Sequence, residues 1–97
     1  MELGLAGRRA AVAGASAGLG YAVAEALVGE GVAVAICGRD AARSEAAARA
    51  LGPLATPLVA DVSTPEGAAG FVDDAIRALG GVDILVPNAG GPPAGTF

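Results

Sequence analysis

Gly14-Ala15-Ser16-Ala17-Gly18-Leu19-Gly20 decides the fold, because it turns a buried strand into a helix with almost no side chain standing above the turn. Upstream, Arg9-Ala10-Ala11-Val12-Ala13 is a run of small and β-branched residues that reads as a buried strand. Downstream, Tyr21, Ala24, Leu27 and Val28 recur at the spacing of one helix face. Glycines between a strand and a helix allow positive φ and close approach to the backbone. The free N–H groups of the helix start can then meet a phosphate. Such a helix end attracts an anion by roughly 0.3–1 kcal/mol. Ser16 adds a hydroxyl at the height of the phosphates. The spacing is G-x-x-x-G-x-G, distinct from the commoner G-x-G-x-x-G dinucleotide fingerprint.

Outward from this turn the chain keeps alternating strand and helix. Gly29-Glu30-Gly31 is a helix stop, and residues 32–37 then run apolar at every position, as a strand covered on both faces would. Asp40 caps a helix over Ala41–Leu51 that turns Arg43, Glu45 and Arg49 toward water, and Gly52-Pro53 ends it. Residues 55–60 form a third strand whose Pro57 suits an edge position. The next helix has two possible starts. Ser63 and Glu66 form one capping box, and Thr64 followed by Pro65 forms the other. This helix carries Phe71, Ala75, Ile76 and Leu79 inward and closes at Gly80-Gly81, before a fourth strand over residues 82–86.

The order β-α-β-α-β-α-β with crossing helices predicts a doubly wound parallel α/β sheet of strand order 3-2-1-4. In that order strands one and four are neighbours at the topological switch point, where ligands bind beyond the carboxyl ends. The glycine turn follows strand one, and the permissive Asn88-Ala89-Gly90-Gly91 follows strand four. Gly38-Arg39 and Asp61-Val62 fall along the same edge. Four sites thus point to one ligand.

Composition narrows the chemistry. The 97 residues carry a net charge of −4, which argues against a nucleic-acid partner, since that needs a basic face. One Cys and no His exclude a Cys/His zinc site, an internal disulfide and His-based catalysis, so no metal is expected. No apolar run approaches the roughly 18 residues of a membrane span, and a cytoplasmic location is the default expectation. Two Phe, one Tyr and no Trp leave the core to Val, Leu, Ile and Ala. Cys37, at a strand end among apolar residues, reads as an inert buried thiol.

These residues resemble the short-chain dehydrogenase/reductase family over essentially the whole chain. Ala13 and the glycine turn are similar to the family's T-G-x-x-x-G-[IL]-G, with Ala13 in place of Thr. Asp61-Val62 matches the acidic-apolar pair that holds adenine in the family. Asn88-Ala89-Gly90 matches the end of its N-N-A-G, with Pro87 in place of the first Asn. The closing residues look like a variant among 3-oxoacyl-carrier-protein reductase-like members.

The resemblance implies a Rossmann-type sheet, of which residues 1–97 are the N-terminal dinucleotide-binding part, cut after the fourth strand. It also implies a cofactor site formed by Gly14, Ser16, Ala17, Gly18, Leu19, Gly20, Arg39, Asp61, Val62, Asn88, Ala89 and Gly90. Strand two ends in Cys37-Gly38 with Arg39 next, so NADP is expected, with NAD possible. Asp40 is either a helix cap or a ligand for a ribose 2′-hydroxyl.

The family's proton donor Tyr, its Lys four residues on and its carbonyl-polarising Ser have no counterpart here. All six basic residues are Arg, and position 25, four after Tyr21, is Glu. No catalytic residue is assigned. The expected parent protein is an NADP(H)-dependent oxidoreductase acting on a small carbonyl or alcohol, homo-oligomeric, of which this chain is an inactive first part. Its apolar fourth strand would then be an edge prone to self-association. The alternative is a non-catalytic dinucleotide-binding or interaction module.

Overall fold

In a computed structural model of the chain, residues 4–14 and 18–87 are described. The seven expected elements are all present: β1 (Arg9–Val12), α1 (Gly18–Gly29), β2 (Ala33–Gly38), α2 (Ala41–Leu51), β3 (Ala55–Val59), α3 (Pro65–Leu79) and β4 (Ile84–Val86). The chain leaves β1 through Gly14 at φ 69° and enters α1 at Gly18 with φ 68°. Both values lie in the left-handed region that costs a glycine nothing. The helix therefore starts earlier than its apolar face, which begins at Tyr21. Between the two possible starts of α3 the structure selects Thr64, whose Oγ1 accepts from the Gly67 N–H at 3.0 Å, with Pro65 as the first helical residue.

The four strands are parallel in the order β3-β2-β1-β4. Val12 pairs with Ile36 on one side and with Val86 on the other, so the ends of β1, β2 and β4 lie level. Pro57 sits on β3, an edge strand of the described sheet, where its missing N–H breaks no central ladder. β4 forms the other edge, and Leu85 there is 52 % exposed.

Side chains along β1 and β2 alternate between two cores of different character. Val12, Val34 and Ile36 point to the face that meets Ala24 of α1 and Ala47, Ala48 and Leu51 of α2. Ala11, Ala13, Ala35 and Cys37 pave the opposite face, which carries Phe71 and Ala75 of α3. The small residues of this second face make room for the one large ring, and Phe71 is only 2 % exposed. Ile76, expected inward with Phe71, is 43 % exposed. Five residues on from Phe71 is about 140° around a helix, and α3 packs over β1, β2 and β3 with this flank uncovered.

One long-range clasp closes the end of the sheet opposite the glycine turn. Arg9 donates its backbone N–H to Asp83 Oδ2 at 2.9 Å and its Nε to the same oxygen at 3.3 Å. Its Nη1 donates to the Gly80 carbonyl at 3.0 Å, and the Asp83 N–H donates to the Arg9 carbonyl at 2.8 Å. The Arg9 side chain and then its backbone N–H hold the Asp83 carboxyl below the usual carboxylate range. The two side chains are 38 % and 30 % exposed, so solvent screening keeps the contribution small. A lowered folded-state pKa stabilises above the ordinary carboxylate range and is lost as pH falls through it. Asp83→Asn is therefore expected to melt below the wild-type chain at neutral pH. The gap should close as pH falls past the folded-state pKa, in melting curves recorded from pH 7 down to pH 2.

Candidate functional site

The site is built where β2 and β3 end. The Ala60 N–H donates to the Gly38 carbonyl at 3.1 Å, which sets the two strand ends side by side and brings Arg39 and Asp61 to one edge. The chain leaves β1 beside them through Gly14, which lines the same cleft. Between these ends lies an open cleft of about 490 Å³, lined among others by Gly14, Arg39, Arg43, Asp61, Val62 and Ser63. The cleft stands at the carboxyl ends of the strands, the position that a doubly wound sheet reserves for ligands.

Two guanidinium groups, of Arg39 and Arg43, and two carboxylates, of Asp40 and Asp61, give the cleft its charge. Arg39 directly follows β2 and is exposed; Arg43 lies in the first turn of α2. Among the described residues neither has an ion-pair partner within 4.0 Å. Asp40 caps α2, its Oδ1 accepting from the Arg43 N–H at 3.2 Å. Asp61 Oδ1 accepts from the Ser63 hydroxyl at 2.5 Å and from the Ser63 N–H at 3.0 Å, a turn in which the side chain bonds its own backbone two residues on. These two bonds, the hydroxyl first, with a smaller attraction from Arg39, hold the Asp61 carboxyl below the usual carboxylate range. It is a carboxylate at neutral pH. Burial pushes the Cys37 thiol up, and the Gly14 backbone offsets only part of this, so Cys37 is a neutral thiol.

The structure brings Gly14, Arg39, Asp61 and Val62 together in one cleft. Gly18, Leu19 and Gly20 form the first turn of α1; Leu19 is 64 % exposed and Gly20 is buried. Ser16, Ala17, Asn88, Ala89 and Gly90 lie outside the described residues. Two polar residues of the cleft were not expected. Arg43 was read as facing water, yet with Asp40 as cap it is the third helical residue and stands above the end of β2. The cap register carried that signal. Ser63, a helix-cap candidate by sequence, stands instead in an acid-x-Ser turn, a signature in its own right.

The residue set suits a dinucleotide. A left-handed glycine at the strand-helix turn offers close backbone approach, unpaired guanidinium groups suit phosphate, and a carboxylate suits a base amine or a sugar hydroxyl. Among the described residues no group of His, Cys, Asp and Glu could hold a metal ion, and no helix is long and apolar enough to cross a membrane.

Known proteins match this chain in sequence and in fold. A family model described as short chain dehydrogenase matches residues 8–97. An oxidoreductase of Methylorubrum extorquens is 40 % identical over 92 residues, 89 % of this chain and 36 % of that protein. L-fucose dehydrogenase of Bos taurus is 38 % identical over 88 residues, 91 % of this chain and 32 % of the relative. L-sorbose reductase of Gluconobacter frateurii, solved with NADPH and L-sorbose, superposes with a TM-score of 0.85 at 37 % identity, covering 100 % of this chain and 38 % of that one. The 3-ketoacyl-(acyl-carrier-protein) reductase of Brucella melitensis, solved with NADH, gives 0.76 at 34 % identity, over 84 % and 33 % of the two chains. The chain spans about a third of the length of these relatives.

Proposed function

Because this chain belongs to the short chain dehydrogenase family, we propose that its cleft holds the adenosine end of a nicotinamide dinucleotide, NADP(H) in preference to NAD(H), as the cofactor-binding part of an oxidoreductase for a small carbonyl or alcohol. The observation that carries the reading is the convergence of Arg39 and Asp61 from two strand ends onto one cleft, where β2 ends in Gly38 and the nearby Asp40 carboxylate, which also lines the cleft, is engaged by the Arg43 N–H as the cap of α2. Arg39 would bind the ribose 2′-phosphate, an anion that an NAD-selective strand end would repel with an acid. Arg43 adds a second cation on the same wall. Asp61 and Val62 would hold the adenine ring. The turn from Gly14 through Ser16, Ala17 and Gly18 to Leu19 and Gly20 would receive the pyrophosphate, and Asn88, Ala89 and Gly90 the adenosine ribose.

When bound, the nicotinamide ring supplies or accepts a hydride. This chain's own residues bind and orient the other end of the cofactor. They include no Lys and no Tyr followed four residues later by Lys. The second reading is a non-catalytic dinucleotide-binding module.

Calorimetric titration of the 97-residue chain with NADPH and with NADH, alongside light scattering for sample size, tests the proposal. NADPH is expected to bind more tightly than NADH. A monodisperse sample that binds neither overturns the assignment of the cleft, and one that prefers NADH overturns the cofactor choice. NADPH binding by the chain, with no hydride transfer by a full-length protein that contains it, supports the module instead.

A further inference from the structure

Resting on the reading of the cleft as a dinucleotide site, we propose that Gly67 and Ser63 are positioning residues that act through Asp61 to select adenine at the base end of the cofactor. Gly67 lies in the first turn of α3, with its N–H on the Thr64 cap. A Cβ built there would stand 1.7 Å from the Asp61 carbonyl oxygen and 2.8 Å from the carbonyl carbon. Both atoms are backbone, so no rotamer change relieves the clash. Any side chain at position 67 must push the Asp61-Val62 peptide away from the helix, and with it the strand end that forms one wall of the cleft. Gly70 in the same helix has nothing within 4 Å of its Cβ position. The requirement thus belongs to one glycine and one carbonyl, not to the helix.

Ser63 completes the device on the side-chain side. Its hydroxyl and its N–H both hold Asp61 Oδ1, at 2.5 and 3.0 Å. Among the described residues Oδ2 accepts no hydrogen bond, and Asp61 is exposed on the cleft wall. A carboxylate with one oxygen clamped and the other free is an acceptor of set direction. Adenine presents an exocyclic amine that can donate to it. Hypoxanthine presents a carbonyl oxygen in the same place, which sets acceptor against acceptor and leaves both unpaired. Discrimination between the two bases therefore depends on where the free oxygen points, and Gly67 and Ser63 set that direction from the backbone and from the side chain.

The test titrates NADPH and its hypoxanthine counterpart into the 97-residue chain, as wild type, Ser63→Ala, Gly67→Ala and Gly70→Ala, with circular dichroism on each sample. The wild type is expected to prefer the adenine form about tenfold, the worth of one hydrogen bond to a charged group. Ser63→Ala and Gly67→Ala should bring the two ligands to within about twofold, while Gly70→Ala keeps the full preference. A merely structural role would lower both affinities together and leave their ratio intact, which overturns the proposal. If Gly67→Ala does not fold, Ser63→Ala decides, since it changes one exposed side chain and leaves the backbone turn in place. A wild type that binds both forms equally sinks this inference alone, whereas one that binds neither sinks the dinucleotide reading beneath it.

Discussion

Phe71→Ala is expected to destabilise the chain by about 3–5 kcal/mol, the range for removing a buried aromatic ring. Phe71 is the largest fully buried side chain and lies on a face paved by Ala11, Ala13, Ala35 and Cys37. Alanines have no rotamers with which to fill a void, and ladder hydrogen bonds hold the strands beneath them. The cavity would therefore persist, placing the cost in the upper part of that range. Ile36→Val on the opposite face removes one methylene among larger neighbours and should cost only about 0.5–1.5 kcal/mol. Urea denaturation of both variants separates the two faces. With total stabilities of about 5–15 kcal/mol for domains in general, the Phe71 variant should be visibly destabilised at room temperature. A loss below about 1 kcal/mol would show that α3 is not anchored by this ring.

Arg39→Ala is expected to weaken NADPH binding by about 10- to 100-fold and to leave NADH nearly unchanged. Charge-assisted hydrogen bonds contribute roughly 1.5–3 kcal/mol, and each 1.4 kcal/mol is a factor of ten. The loss should lie toward the lower end if Arg43, on the same wall, takes up part of the phosphate. Because Arg39 is exposed, the difference between the two cofactors should shrink as salt is raised. Arg39→Lys keeps the charge but not the paired N–H geometry, and should recover part of the loss. Titration of each variant with both cofactors, at low and at physiological salt, measures these effects. Equal loss for NADPH and NADH would mean that Arg39 supports the turn and does not read the 2′-phosphate.

Much of this was legible along the chain because its signals are local. Residues 32–37 are apolar at every position, and only a strand covered on both faces tolerates that in so short a run. Pro57 marked an edge strand, and Gly52-Pro53 and Gly80-Gly81 marked helix ends, because each restricts or frees the backbone wherever it stands. Arg39 and Asp61-Val62 could be placed on one edge since each directly follows a strand of a parallel sheet. Ile76 is exposed against expectation because the apolar face of α3 is wider than the sheet that covers it. Arg43 was assigned to solvent because a pattern of charges along a helix does not say what lies beyond the helix start.

The sequence by itself determined the type and order of the seven elements and the strand order β3-β2-β1-β4. Periodicity, caps and the handedness of parallel crossovers are properties of the chain near each residue, and they suffice for that. Only the tertiary structure decided that Thr64 and not Ser63 caps α3, which leaves Ser63 free to clamp Asp61. It alone joined Arg9 to Asp83 across 74 positions and seated the Asp61 carbonyl on Gly67. These contacts depend on how two elements approach in space to within an ångström, and no local pattern of residues encodes that distance.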